Sequence, residues 1–524
     1  MAGTKNIGYT GCIDSRVEQG SYAMKAGYSW LIDQGHAKAP LPDHYAEIRS
    51  VTRIEVIGSC IAVPATVAPA RQTLLDHVLF ALKHEGVNLT VLAQVLPQIP
   101  EIELRAACDA SPTSQYLRKA GYLWEHFTGS AIRRQQTKLR SNYVPLFDPS
   151  QYLTSTGVRN SRWRILFNGL GSLDYCVTVR RTPELSALLD KNLLQLAGEF
   201  TESLPPDILN RALAWAYLDE TRNSFAIENE VPSGDKANRF VSLLQQAHVA
   251  RKLDEDYLVA LQNAAISNVY YRAASFRAVQ NHLSNGLRGA IGVSYVPPEP
   301  ELSRALMERL MELANTPPQG LDPLVLAAIV SFGFVFIHPF MDGNGRLSRF
   351  LFHQVLCQQG GLKNGLLLPV SAVLKQNEAD YKATLEAWSA PTRAFWDVTC
   401  IDDEHIEFDF QGHPALYRYW DATQCATFMA GAAEQAIENH LKEETEYLGH
   451  YDEIYQRVDR VFDVANADLS RLVMFCMDQQ GRLSAKRRRQ YQYKVPEELF
   501  EVLEQAYQDV MNPGGASPEG KGSA

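Results

Sequence analysis

The sequence lacks a C-x-x-C pair, a long apolar run and a surplus of cations. Each absence removes a class of protein. Eight cysteines (Cys12, Cys60, Cys108, Cys176, Cys357, Cys400, Cys425 and Cys476) lie far apart, so neither a zinc site nor a disulfide framework is expected. A membrane-spanning helix needs roughly 18–20 consecutive apolar residues. The nearest candidate, Ala327–Phe340, breaks at His338-Pro339. Lys and Arg number 50 against 60 Asp and Glu, a formal charge of −10. Phosphate affinity comes from clustered cations, so a dedicated duplex-DNA binder is not expected. The opening Met-Ala-Gly-Thr-Lys-Asn leads into no apolar stretch, and no secretory leader is expected. Together these point to a cytoplasmic, reducing setting with no membrane contact. No fixed-period repeat is present.

What is there is a 524-residue chain, 46 % apolar and 21 % charged. That is the composition of a globular protein, and the length suggests two to four packed units. Apolar residues recur at three- and four-residue intervals over residues 75–84, 116–127, 185–200 and 208–230. The same spacing covers 239–249, 254–265, 303–313, 323–337, 346–358 and 427–447. Strand-like alternation is confined to 53–57, 162–167 and 176–179. A hairpin arm is expected at Gly289–Val296. The expected fold is therefore mainly α. An N-terminal helical region is expected over residues 1–180, a central domain over 181–395 and a C-terminal helical region over 396–512. The tail Pro513–Ala524 has no large apolar residue to anchor it and is expected to be disordered.

One segment carries chemistry: His338-Pro339-Phe340-Met341-Asp342-Gly343-Asn344-Gly345-Arg346-Leu347-Ser348-Arg349. Pro339 ends the preceding helix, because the residue before a proline is pushed out of the α region. Asp-Gly-Asn-Gly forms a tight turn in which glycines permit positive φ. Backbone N–H groups of such a turn, feeding a helix N-terminus, favour an anion. Arg346 and Arg349 then lie at i and i+3 in the first helical turn, against the helix dipole. An anion between them removes that conflict. Asp342 beside a phosphate suits Mg²⁺, which takes few carboxylates and several phosphate oxygens. His338 is placed to take a proton near neutral pH. The plain alternative is a glycine turn between two core helices with an interior histidine. The conjunction favours nucleotidyl or phosphoryl transfer to a hydroxyl.

These residues resemble the Fic-domain signature H-x-F-x-[DE]-G-N-G-R-x-x-R, without departure. The resemblance implies a compact multi-helix core with a short β-hairpin flap. It implies transfer of AMP from ATP, with Mg²⁺, to a Ser, Thr or Tyr hydroxyl of a target protein. By that resemblance His338 is the base, and Asp342 holds the metal. Gly343, Asn344 and Gly345 form the anion hole, Arg346 and Arg349 contact the distal phosphates, and Phe340 seats the loop. Ser224-Phe225-Ala226-Ile227-Glu228-Asn229 is similar to the family's inhibitory pattern, [ST]-x-x-x-E-[GN]. It places an inhibitory helix near 221–230, with Ser224 on it and Glu228 against Arg349. The competing reading makes Glu228 an exposed helical residue. Gly292, Val293 and Ser294 fall on the implied flap, which otherwise reads as a surface loop. Tyr381 and Trp388 are candidates for an adenine pocket or for plain core.

Three functions follow. The first is a protein adenylyltransferase restrained by Glu228. The second removes AMP from a modified protein, alone or alongside transfer. The third is a nucleotide-sensing or DNA-binding regulatory module that uses the basic run Lys486-Arg487-Arg488-Arg489. Expected partners are a target protein, the chain itself as acceptor, and a second copy in a homodimer.

Overall fold

The computed structural model describes residues 24–135, 139–266, 269–362, 365–402 and 405–512. The expected disordered tail Pro513–Ala524, Cys12 and residues 403–404 lie outside the described residues. The chain divides into two compact units. The first takes residues up to 148 together with 158–167, and the second takes 149–157 and everything from 168.

The first unit is less purely helical than its sequence suggests. Besides a six-residue helix at Tyr28–Asp33, its α-helices are Leu74–His84, Leu89–Val95, Glu101–Ala110 and Gln115–Thr128. Thr73 and Asn88 cap Leu74–His84 and Leu89–Val95 by accepting the N–H groups of Asp76 and Val91. Beside them lies a four-stranded sheet in the spatial order Met24–Lys25, Tyr45–Ile48, Cys60–Val63, Glu55–Ile57. A three-stranded sheet joins Val144–Pro145, Ile165–Phe167 and Val158–Asn160. Glu55–Ile57 and Ile165–Phe167 lie within the expected strands 53–57 and 162–167; the others hold two to four residues each, too few to print an alternation in the sequence.

The second unit is built on helices. The labels used below are α1 (Pro206–Ile227), α2 (Glu255–Ala265), α3 (Pro300–Asn315), α4 (Pro323–Ile337), α5 (Asn344–Gln359) and α6 (Glu378–Arg393). Two hairpins accompany them. The first pairs β1 (Leu283–Ser284) with β2 (Val293–Tyr295), and the second pairs β3 (Trp396–Cys400) with β4 (Ile406–Phe410). α4 starts where Asp322 accepts the N–H of Leu324 and Pro323 supplies a preset φ. It is apolar on every side and buried along nearly its whole length, which makes it the central helix of this unit. α5 packs directly on it and is also mostly buried.

Several expected elements shift. The period over 185–200 splits into Pro183–Leu189 and Leu193–Ser203, because Asn192 turns left-handed at φ 52°. The pattern over 208–230 ends early: α1 stops at Ile227, and Glu228 is its C-cap. The pattern over 427–447 belongs to a longer run. Thr423–Gln435 passes through a π turn, Ala436–Leu441, into Lys442–Asp459. The boundary drawn at residue 180 falls inside the second unit. Its strand Tyr175–Thr178 pairs in parallel with Tyr419–Asp421, so the regions before 180 and after 396 share a sheet. The C-terminal helices close a separate core around Leu469, Leu472, Leu499, Phe500, Leu503 and Tyr491.

No helix among the described residues is long and apolar enough to cross a membrane. The seven described cysteines are free thiols.

Candidate active site

The site lies at the joint between α4 and α5. α4 ends as His338 turns left-handed (φ 53°), and Pro339 prevents helical continuation. Gly343, at φ 84°, is the N-cap of α5. The N–H groups of Asn344, Gly345 and Arg346 therefore open the helix with no intrahelical acceptor, which is the expected anion-binding end. Asn344 does not lend its side chain to an anion. Its Oδ1 accepts the N–H of Phe340 at 3.0 Å and its Nδ2 donates to the Phe340 carbonyl at 2.7 Å. The expected anion-hole role is thus left to its backbone, and its side chain braces the loop. Phe340 is buried and meets Phe276 edge-on with centroids 5.5 Å apart.

Both arginines are buried and occupied. Arg349 donates from Nε to Ser224 Oγ (2.8 Å) and from Nη2 to the Ser224 carbonyl (2.7 Å) and Glu228 Oε1 (2.9 Å). Arg346 Nε faces Glu228 Oε2 at 2.8 Å, off the hydrogen-bond axis. Its Nη1 reaches Glu230 Oε2 and the Ala265 carbonyl, each at 3.1 Å. Glu228 therefore spans the two guanidiniums from the end of α1 rather than from within a helix. A Cβ on Gly345 would lie 2.6 Å from Glu228 Oε1, so glycine alone lets the carboxylate settle on the α5 N-terminus. A carboxylate of this chain occupies the place where the sequence calls for an anion.

Asp342 is more open. Its Oδ1 accepts the N–H of Gly343 at 2.7 Å, and Arg346 Nη2 stands 3.7 Å away. Its Oδ2 has no partner among the described residues. His338 is buried, with Nδ1 3.0 Å from the Val335 carbonyl. Burial, aided by the nearby Arg277 cation, pushes its pKa down to about 4, against the opposing pull of the Val335 carbonyl and Asp342. The imidazole is neutral at physiological pH. A carbonyl can only accept, so Nδ1 carries the proton and Nε2 holds the lone pair.

Sequence reasoning missed the donors that hold this loop. Five consecutive carbonyls are engaged. Tyr295 Oη donates to Phe336 O at 2.6 Å, and Ser303 Oγ to Ile337 O at 3.4 Å. Arg277 donates from Nε to His338 O (2.9 Å) and from its backbone N–H to Pro339 O (2.8 Å). Asn281 Nδ2 donates to Phe340 O at 3.0 Å, beside Asn344. Gln262 of α2 reaches Asp342 O at 3.2 Å. Glu230, the second carboxylate on Arg346, was also missed. No residue-type pattern in a single sequence marks side chains whose partners are carbonyls.

The expected hairpin is shorter than Gly289–Val296. Ala290–Gly292 is a 3₁₀ turn, and only Val293–Tyr295 pairs with β1. Gly292 ends that turn, Val293 faces inward and Ser294 is exposed. Trp388 packs among Phe336, Tyr295, Tyr417 and Trp420 as core. Tyr381 stacks on Phe428 and also lies beside Arg349. In the basic run, Arg487 stacks on Phe475 and Arg488 pairs with Glu504, so neither is a free cation.

Residues 252–356, which hold the buried His338 and the open N-terminus of α5, match the family described as Fic/DOC family. The chain is 27 % identical over 156 residues to a protein adenylyltransferase Fic of Nematostella vectensis, covering 29 % of this chain and 34 % of that protein. It is 25 % identical over 308 residues to a protein adenylyltransferase Fic of Drosophila mojavensis, covering 50 % of this chain and 55 % of that one. The chain thus spans about a third to a half of these relatives' length. A Fic family protein of Desulfovibrio desulfuricans G20 superposes with a TM-score of 0.39 at 20 % identity, over 66 % of this chain and 98 % of that chain.

Proposed function

We propose that the chain transfers AMP from ATP to a hydroxyl of a target protein, and that Glu228 restrains it. The observation that carries this reading is the Glu228 carboxylate lying on Arg346, Arg349 and Gly345 together. Two buried arginines at a helix N-terminus require an anion, and a triphosphate and a carboxylate compete for the same place. The relatives' printed activity, protein adenylyltransferase, agrees with it.

In the transfer, the acceptor oxygen attacks the α-phosphorus and forms the new P–O bond. The bond to the bridging oxygen breaks, and pyrophosphate leaves. Nε2 of His338, left with its lone pair, accepts the hydroxyl proton. The open N–H groups of Asn344, Gly345 and Arg346 face the phosphates, and Arg349 binds the distal one once Glu228 releases it. Among the described residues no group of three or more His, Cys, Asp or Glu is arranged to hold a metal alone. The open Oδ2 of Asp342 fits a Mg²⁺ ion that shares the ATP phosphates, and the ion would neutralise charge on the leaving pyrophosphate. Ser294 lies at the exposed strand that would present an extended target segment. In the absence of another target the chain is its own acceptor in this reading, and the free thiols among its described residues support a reducing, cytoplasmic setting.

Mass spectrometry after incubation with ATP and Mg²⁺ tests the reading. Glu228→Gly should gain adducts of the mass of one AMP moiety, and Glu228→Gly with His338→Ala should gain none.

A further inference from the structure

We propose that Arg277 is a positioning residue for this reaction, clipping the segment that carries the base to the segment that carries the flap. The proposal rests on the function proposed above. Arg277 is 6 % exposed. Its guanidinium donates to three carbonyls: His338 from Nε at 2.9 Å, Val279 from Nη1 at 3.1 Å, and Pro298 from Nη2. Its backbone N–H holds Pro339 at 2.8 Å. No carboxylate pairs with it among the described residues. Burying a guanidinium without a counter-charge is unfavourable, and burial lowers its pKa to about 10. Neutral side chains satisfy single carbonyls elsewhere around this loop, as Tyr295 and Asn281 do. What a guanidinium adds is a planar fork that reaches several acceptors at once.

The three acceptors lie on two segments. His338 ends α4 and bears the imidazole. Val279 and Pro298 bracket the hairpin β1–β2, one before it and one after it. The fork therefore fixes the distance between base and flap. Tyr295 and Asn281 strengthen the same seam. In-line transfer needs the acceptor oxygen and Nε2 in register, and a misplacement of about 1 Å can reduce rate about 100-fold. The groups facing the His338 ring are Arg277, Asp342 and the Val335 carbonyl. The cation of Arg277 also opposes protonation of the ring it places.

The test uses full-length Glu228→Gly as parent, with Arg277→Met and Arg277→Lys added. Three quantities are read: turnover at saturating ATP, affinity for Mg²⁺-ATP, and amide hydrogen exchange. Arg277→Met should lower turnover about 100-fold, with ATP affinity within about threefold of the parent. Its exchange should rise over 283–296 and 338–343, and stay at parental values along the middle of α4 and α5. Arg277→Lys keeps the charge but not the fork, so its turnover should fall between the two and its fold is the safer one. Met and Lys variants that turn over within twofold of the parent overturn the proposal. So does unchanged exchange at both segments, or a parallel loss of ATP binding that marks general collapse. If the parent itself transfers no AMP, the function proposed above fails, and the exchange comparison still decides whether Arg277 is the clip.

Discussion

Replacing Glu228 by glycine removes the carboxylate shared by Arg346 and Arg349, and two opposite effects should follow. The guanidiniums are 5 % and 3 % exposed and the carboxylate 27 %. Removing one partner of a fully buried pair destabilises by roughly 3–5 kcal/mol. The partial exposure of Glu228 places this pair at the lower end, about 3 kcal/mol. Without nucleotide, the variant should melt about 5 °C lower, since each kcal/mol shifts a unit of this size by about 1–2 °C. With nucleotide the sign reverses. The same 3 kcal/mol no longer opposes the phosphates, and at 1.4 kcal/mol per tenfold the productive complex gains up to about 100-fold. AMP incorporation should rise by 10- to 100-fold, as an order-of-magnitude expectation from that free energy.

The assay pairs thermal melts, with and without Mg²⁺-ATP, with incorporation of labelled AMP. ATP should raise the melting temperature of Glu228→Gly more than that of the wild type, because phosphates restore the missing anion. Glu228→Gln serves as the control that keeps the side-chain volume and removes only the charge. A variant that melts at the wild-type temperature and incorporates at the wild-type rate would refute the reasoning. Equal stabilisation by ATP in both proteins would refute it as well, since the anion place would then not be contested.

Other outcomes follow from the same geometry. Glu230→Gln leaves the Glu228 bridge intact and frees one arm of Arg346, so incorporation should rise less than in Glu228→Gly; an equal or larger rise in a labelling assay would contradict this. His338→Ala should lose incorporation while a fluorescent ATP analogue still binds within about threefold, because the ring supplies the base and not the phosphate contacts. Asn344→Ala breaks both bonds to Phe340 and should destabilise by about 2–3 kcal/mol in chemical denaturation, far more than a surface amide change. The folded pKa of His338, about 4, lies below the unfolded value of 6.5. Transfer should therefore persist to about pH 5 and fall near pH 4. Over the same window the unfolded chain takes up a proton that the folded chain refuses, so stability falls as pH drops from 6.5 towards 4. A rate that halves near pH 6.5 would show that the ring titrates as an exposed histidine.

How much of this was legible depends on where each residue's partner lies. His338, Asp342 and the Gly-Asn-Gly turn act within twelve positions, and their chemistry is local in sequence. The limits of α4 are legible for the same reason: Pro323 opens it, Pro339 closes it, and the apolar run between fills it. Glu228 was legible as a pattern, but its setting was not. The helical period runs on to Glu230, while the chain leaves the helix after Ile227 and Asn229 turns left-handed at φ 56°. Periodicity reports side-chain faces and is blind to a cap. Arg277, Asn281 and Tyr295 were illegible because they act on backbone carbonyls 41 to 61 residues away. Every residue offers a carbonyl, so such a partner leaves no trace in residue types. In the first unit Glu55–Ile57 and Ile165–Phe167 fall inside the expected strands 53–57 and 162–167, whereas their partners Met24–Lys25, Tyr45–Ile48, Cys60–Val63, Val144–Pro145 and Val158–Asn160 were not legible. Three residues such as Val158–Asn160 show one side-chain alternation, which any loop can match.

The placement of Glu228 also bears on the kind of restraint proposed. A lid that closed a pocket would leave the arginines without a counter-anion whenever it opened. In the proposed function the arginines always keep one, because carboxylate and phosphate would fill the same place in turn. Two buried guanidiniums at the positive end of a helix make the empty site the high-energy state. Exchange of one anion for another avoids that state, and the barrier to activation then depends on how firmly the end of α1 is held. Glu230 bears on that holding directly. It ties the residues just beyond α1 both to Arg346 and to Lys236, at the start of the next helix, Gly234–Gln245. Any partner that draws Gly234–Gln245 away from α5 would pull Glu230, and with it Glu228, off the arginines. In the proposed function, the packing around Glu230 supports the restraint that Glu228 exerts, and Lys236→Met should raise incorporation, though less than Glu228→Gly, without touching a residue that contacts the phosphates.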